Sequence, residues 1–490
     1  MTSHELPTQL QNEELLEGYS RSAVDDANCR LGGPSITLLE GRKLHSSQST
    51  HYLTLTTKSR RVPVIDHTSS MASKISAETM QQIFVFAVLK INDAVFEKDG
   101  ILRLIPQEPH PQEVRATIAQ VCRLWKDILE STPEAWSTII IDEISPQSVE
   151  YFDRCLKLSD KASLDLSIWL FNTTLPNEAS CAVQFMTAFR QHSHRISRIH
   201  GNFHDYHYLT AVNIILSASV GEEIKLPRLK HLALIGSPQI WGNPIVYPSN
   251  ILPLESLTLS PGYIDLFRRE SFSVDSLTCL RLSYPWNHLM PVDYARISSC
   301  IYLRELHLTI LPCFQPPEWC GKITSVNLPC LEYFRITMSS ILEGTEVVRN
   351  FQTPKLSHLS LHLKIGRGSR RQRITPLIDF LSSLKATKLS RITLDRVRLS
   401  VDNFIQVFRI HSFLKRLELL KCDIDPGCFP VLIGEKGAEY SGSMDLYMHY
   451  CHFRTDEFLE SLNTSLRSEV NIMIRDTRLD QINWRNHKHV

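Results

Sequence analysis

Leucines recur along this chain in one spacing, Leu-x-x-Leu-x-Leu, and the recurrence is the strongest pattern in it. The triplets are Leu229/Leu232/Leu234, Leu254/Leu257/Leu259, Leu277/Leu280/Leu282 and Leu303/Leu306/Leu308. They continue as Leu331/Phe334/Ile336, Leu356/Leu359/Leu361, Leu389/Ile392/Leu394 and Leu414/Leu417/Leu419. Successive starts lie 25, 23, 26, 28, 25, 33 and 25 residues apart. Within each triplet the last two apolar positions alternate with polar ones, which predicts a short strand with one buried face. The first, three residues earlier, fills the corner where the chain turns in. Strands stacked side by side would bury these rows in one core, each Leu contributing ~1.5–3 kcal/mol.

Between triplets the chain must return, and Pro376–Leu384 and Asp402–Phe408 have helical spacing. Imperfect units extend the array at both ends: Leu164/Leu166/Ile168 and Ile196/Ile199 before it, Leu446-x-Met448-x-x-Cys451 after it. A helix over Asp456–Leu466 and a strand over Val470–Ile474 would close it. A period of ~20–29 residues with this triplet is the leucine-rich-repeat signature, here in an irregular form with Cys422 and Cys451 in the Asn/Cys slot. The fold class expected is α/β: a solenoid of parallel strands with outer helices.

A different period rules residues 75–142. Met80, Ile83, Phe84, Ala87, Val88 and Ile91 recur at three- and four-residue steps, an amphipathic helix with Ser76 as N-cap and Glu78 in its first turn. Val114, Ile118, Val121, Trp125 and Ile128 predict a second helix that runs until Pro133. A long loop separates the two, and Ser137–Asp142, β-branched from Thr138 to Ile141, reads as a strand. Cys122 and Trp125 lie beside the second stripe, and Phe84 and Trp136 add aromatic area. Anchors of that size suit a partner surface as well as a core; periodicity by itself indicates the core.

The residues of this stretch resemble the F-box, the helical module that docks on the Skp-type adaptor of SCF ubiquitin ligases. The form most similar is the F-box-like one common in mushroom-type fungi. Glu78, Ile83 and Phe84 match its first half; Val121, Cys122, Arg123, Trp125, Asp127, Pro133, Trp136 and Ile139 match its second. Ile75-Ser76 stands where most members have Leu-Pro. The resemblance implies an adaptor-binding set of Ile75, Met80, Ile83, Phe84, Val121, Cys122, Trp125, Ile128, Pro133 and Trp136. It implies the substrate-recognition subunit of an SCF-type complex, linked through its adaptor to a cullin scaffold, with an unidentified target on the repeats. Ubiquitin transfer would belong to other subunits, so no enzyme activity and no cofactor is expected. The alternative is a repeat scaffold without a ubiquitin-ligase role.

The organisation expected is a mostly disordered arm over 1–74, the helical module over 75–142 and the solenoid over 143–490. The arm mixes short apolar pieces with polar clusters and a basic run, Lys58-Ser59-Arg60-Arg61. The 490 residues suffice for two or three domains, and 43% apolar with 21% charged residues is a globular balance. A net charge of +1 gives no reason to expect nucleic acid, and no run approaches the ~20 apolar residues of a membrane span. No secretory signal is visible, and the 12 cysteines show no paired spacing, which fits reduced thiols and a cytoplasmic or nuclear setting.

Motifs for chemistry are sparse. Ile433-Gly434-Glu435-Lys436-Gly437 lacks the spacing of a phosphate loop, and neither Gly-x-Ser-x-Gly nor His-Glu-x-x-His occurs. His449, Cys451 and His452 with Cys422 could suggest zinc, but neighbours on a strand face opposite ways, so Cys422 and Cys451 read as stacked core thiols. His204-Asp205-Tyr206-His207 reads as a polar loop. The 33-residue interval holds Arg367, Arg370, Arg371 and Arg373, a loop that could clamp carboxylates or phosphates of a target, or lie solvated.

Overall fold

The structure is a computed structural model. It describes residues 75–88, 95–98, 101–104, 110–170, 178–203, 226–236, 254–270, 272–284, 289–310, 325–339, 341–364, 375–384, 386, 388–410, 414–425, 427–428, 444–451 and 470–475. All belong to one unit, Ser70–Val490. The arm over 1–74, Ile91, the His204–His207 run, the arginine loop and the helix expected at Asp456–Leu466 lie outside the described residues.

Every Leu-x-x-Leu-x-Leu triplet ends in a strand of one 13-stranded parallel sheet. From the N-terminal edge its strands are β3 (Thr138–Ile141), β4 (Leu164–Leu170), β5 (Ile196–Phe203), β6 (His231–Ile235), β7 (Ser256–Leu259), β8 (Cys279–Tyr284) and β9 (Glu305–Ile310). The sheet continues with β11 (Tyr333–Met338), β13 (His358–Leu363), β14 (Arg391–Asp395), β16 (Arg416–Leu420), β18 (Met444–His449) and β19 (Val470–Arg475). Apart from the short strands noted below, sheet order follows chain order, the arrangement of an α/β solenoid-like stack. Register is set by the triplets: Leu257 pairs with Leu280, Leu280 with Leu306, Leu306 with Phe334. Leu303, Leu306 and Leu308 are 0%, 0% and 1% exposed, and the other triplets are buried as completely. Tyr284, Ile310 and Met338 extend the buried rows by one more alternate position.

The return segments form a second layer. Helices Pro146–Leu158 (α4), Glu178–His192 (α5), Ile264–Arg268 (α6), Pro291–Ser298 (α7), Ile341–Val348 (α8), Thr375–Ser383 (α9) and Val401–Ile410 (α10) alternate with the strands. Consecutive pairs such as α4 with α5, α8 with α9 and α9 with α10 pack on each other. Short parallel pairs, β10 (Val326–Asn327) with β12 (Phe351–Gln352) and β15 (Arg398–Leu399) with β17 (Asp423–Ile424), complete that layer. Neighbouring repeats are also joined by charge: Arg268 makes a bidentate pair, at 2.9 and 3.0 Å, with the fully buried carboxylate of Asp293.

The chain enters through three helices: α1 (Ala77–Val88), α2 (Pro111–Val121) and α3 (Arg123–Glu130). An antiparallel hairpin, β1 (Val95–Lys98) with β2 (Ile101–Leu104), lies between α1 and α2, where the sequence indicated only a loop. Ser76 caps α1 by accepting from Thr79 N at 3.2 Å, as its residue type predicts.

The single second helix expected up to Pro133 is instead two. Cys122 adopts an extended conformation, φ −164° and ψ 168°, ending α2 and starting α3. One extended residue swings the following turn, so α2 buries Arg115 and Ile118 whereas α3 buries Ile128 and Leu129. The boundary drawn at 142/143 also shifts, because β3 is hydrogen-bonded to β4 and belongs to the sheet. The helices and the sheet share one apolar core, from Met80 to Cys451.

Candidate functional site

Two surfaces stand out, one on the entry helices and one on the strands. On the helices the adaptor-binding set divides in two. Met80, Phe84, Ile128 and Trp136 are buried, which corrects their assignment to a partner surface. Met80, Phe84 and Val88 form an i, i+4 row that faces inward, and Trp136 Nε1 donates to Leu129 O at 2.9 Å. Trp125 is half-buried, its ring 5.4 Å from that of Phe84, and Pro133 is half-buried at the start of the 3-10 turn Pro133–Trp136.

Ile75, Ile83, Val121 and Cys122 are exposed, Ile83 at 48% and Val121 at 54%. Phe86 and Leu124, absent from the expected set, are exposed at 76% and 60%. Sequence reasoning missed them because period alone does not say which flank of a stripe meets solvent. The Phe84–Trp125 ring pair ties α1 to α3. A cleft of about 560 Å³ is lined by Glu78, Gln81, Val85, Phe86, Pro133 and Glu134 among others.

This helical unit is fixed to the sheet by Arg115. Its guanidinium, 3% exposed, donates to Ala135 O at 2.8 Å and to Thr138 O and Tyr151 Oη at 2.5 Å each, and lies 5.1 Å from the Trp136 ring centre. Burial raises the Tyr151 hydroxyl far above its ordinary value, so it stays protonated.

The second surface is the strand face opposite the leucine rows. Alternation turns the x positions of the triplets onto it, and parallel register lines them up between repeats. Glu305 accepts from Arg281 Nη2 at 2.8 Å and meets His307 Nε2 at 2.7 Å. The His307 ring lies 5.1 Å from Tyr333, and Tyr333 packs edge-on against His358 at 4.5 Å. His358 Nε2 meets Thr393 Oγ1 at 3.2 Å, and Thr393 donates to Glu418 at 2.9 Å. Arg391 and Arg416 converge on Glu418 at 2.7 and 2.8 Å, and Arg416 lies 4.0 Å from the Tyr447 ring centre. The ladder runs unbroken from β8 to β18.

Charge states follow from these contacts. The hydrogen bond with His307, aided by Arg281, holds the Glu305 carboxyl down at about 2. Burial first, then the neighbouring Arg391, pushes His358 down to about 4. Burial opposes ionisation of Glu418, but Thr393, Arg391 and Arg416 outweigh it and keep its carboxyl below the usual range. The result is a preorganised polar face of hydrogen-bonding and aromatic groups. These residues occupied known slots in the triplets, so alternation could have found them.

Cys422 and Cys451 are buried in equivalent slots one repeat apart, and their thiols donate to Leu394 O and Leu419 O at 3.3 Å. Among the described residues no group of three or more His, Cys, Asp or Glu is placed to hold a metal ion, and no helix is long and apolar enough to cross a membrane. No family model matches the chain, and no curated protein matches it. Among solved structures, a Bacteroides fragilis protein determined by structural genomics aligns over 46% of this chain and 76% of its own, at 12% identity and a TM-score of 0.31.

Proposed function

We propose that the chain is a protein-interaction subunit of an SCF-type ubiquitin ligase. The entry helices dock on a Skp-type adaptor, and through it a cullin scaffold, and a leucine-rich-repeat face presents a target. The observation that carries this reading is the large apolar side chains that the entry helices leave exposed: Ile75 just before α1, Ile83 and Phe86 on α1, Val121 at the end of α2 and Leu124 on α3. Large apolar side chains left exposed beside a core that buries its leucines completely suit a surface that a partner covers.

The F-box resemblance supports the choice of partner. Its motif residues fall into a structural half (Phe84, Trp136) and an exposed half (Ile83, Val121, Cys122), as a docking module needs. Such a subunit transfers no ubiquitin itself; it raises the local concentration of a target lysine near a charged E2, in the cytoplasm or nucleus. It needs no cofactor.

The test is a pull-down of purified Skp-type adaptor by the immobilised full chain. Capture that is lost in Ile83→Asp/Leu124→Asp, with circular dichroism unchanged, supports the proposal. No capture by the folded wild-type chain would leave a repeat scaffold and remove the ligase role.

A further inference from the structure

On the polar strand face, β13 and β14 bring a serine, a histidine and an aspartate together in a fixed order. Alternation places Ser360 and His362 on the same face of β13, and parallel register sets His362 beside Asp395 of β14. Ser360 Oγ lies 2.7 Å from His362 Nε2, and His362 Nδ1 lies 3.1 Å from Asp395 Oδ2. A carboxylate only accepts, so in the neutral ring Nδ1 carries the proton and Nε2 is left as the acceptor. The Ser360 hydroxyl therefore donates to His362. A hydroxyl, a base placed to take its proton and a carboxylate that orients the base are the parts of an activated nucleophile.

The surroundings fit that use. On β11, Tyr333 and Thr337 sit one pleat to either side of the position opposite Ser360. The Tyr333 hydroxyl interacts with the Ser360 side chain, and burial raises it above its ordinary value, so it stays protonated and able to donate. Thr337 is buried, and among the described residues its hydroxyl makes no hydrogen bond; nor does Asp395 Oδ1. A network built only to hold the strands together would satisfy these atoms. Beside a nucleophile, such hydroxyls are donors for the oxyanion that forms when a carbonyl is attacked.

We propose that Ser360, His362 and Asp395 form a catalytic site that hydrolyses small carboxylic esters. Ser360 Oγ attacks the ester carbonyl carbon while its proton passes to His362 Nε2. The bond to the alcohol oxygen breaks, the alcohol leaves with that proton, and the acyl group stays on Ser360. Water then adds to the acyl carbon and gives its proton to His362. The Ser360 ester bond breaks, the carboxylic acid leaves, and Ser360 takes the proton back. Asp395 is a positioning residue that holds the ring in the required tautomer. Ser360 is 3% exposed, at the floor of the face, so the acyl group must be small and slim; a peptide bond within a chain is too bulky. The constellation is defined by geometry, not by a Gly-x-Ser-x-Gly turn, and it is independent of docking through the entry helices.

The experiment treats the full chain with a small alkyl fluorophosphonate, from which an activated serine displaces fluoride, and separately with p-nitrophenyl acetate. Peptide mapping by mass spectrometry should place the phosphonyl group on Ser360, and p-nitrophenol should appear in a burst followed by slower turnover. Ser360→Ala should abolish both with circular dichroism unchanged. His362→Ala should slow p-nitrophenol release at least about a hundredfold, and added imidazole should restore part of the rate, which a merely structural role would not allow. Asp395→Asn should lower kcat at least about tenfold while KM stays within about twofold of wild type.

The proposal is overturned if the folded wild-type chain takes no label on Ser360, if other serines are labelled equally, or if p-nitrophenol release persists in Ser360→Ala. Failure of imidazole to raise the His362→Ala rate would overturn the role of the ring as base. Labelling and adaptor capture are read separately, so the loss of one claim leaves the other standing.

Discussion

Arg115 joins the entry helices to the sheet, and its removal should open that joint without unfolding the array. Arg115→Met keeps most of the apolar stem but deletes every donor. The carbonyl oxygens of Ala135 and Thr138 then lose their 2.8 and 2.5 Å bonds, and the Tyr151 hydroxyl loses its own. Bonds from a charged donor contribute ~1.5–3 kcal/mol each, and stranding a buried carbonyl costs ~1–3 kcal/mol. Relief from burying the guanidinium offsets part of this. The net expected loss is about 3 kcal/mol, confined to the β3 edge and the helices packed on it. At ~1.4 kcal/mol per decade, amide exchange across Thr138–Ile141 should accelerate about a hundredfold. Hydrogen exchange with mass spectrometry reads this directly, with the β11–β14 strands as internal reference. Arg115→Lys should not restore protection, since one ammonium cannot reproduce the planar fork. Exchange at β3 within about threefold of wild type would refute the reasoning, because the joint would then be held by apolar packing alone.

Other expectations follow from local geometry. Lys421 and Tyr450 sit at φ 52° and 54° immediately before the stacked Cys422 and Cys451, a left-handed turn repeated in successive units. Replacing either by Gly should relieve ~1–2 kcal/mol of backbone cost against ~0.5–1 of entropy, so a small rise in melting temperature is expected; a fall would show the side chains to be stabilising. Burial and Arg391 depress His358 to about 4, so the unfolded chain takes up its proton first. The stability this contributes is complete above the ordinary value of 6.5 and is lost as pH falls toward 4. Urea midpoints should decline over that window less steeply in His358→Gln than in wild type, and equal slopes would count against the assignment.

The triplets made the sheet legible because period-2 alternation and a near-constant repeat constrain both face and register. Leu280, Leu306, Phe334 and Leu359 occupy one buried row, as their spacing indicates. The entry helices were legible as helices but not in detail. Ile83 and Phe84 are adjacent members of one stripe, yet the first is exposed and the second buried, because only the packing of α1 against α3 decides which flank is covered.

Arg115 and the Arg268–Asp293 pair left no local trace. Their partners lie 20 to 40 residues away, and a lone charge on a helix reads as solvated until the fold brings an acceptor to it. The break at Cys122 is equally silent, since neither Gly nor Pro marks it.

Docking through the exposed apolar side chains of the entry helices is the central claim, and affinity for a purified Skp-type adaptor tests it most directly. The full chain should be titrated beside Ile83→Asp/Val121→Asp, two side chains about half exposed, so that the fold is spared. The account predicts saturable binding by wild type and a loss of at least about a hundredfold in the variant, the size expected when two anchors at an interface centre are removed. Binding left unchanged by both substitutions, or no binding by a fully folded wild-type chain, would contradict it.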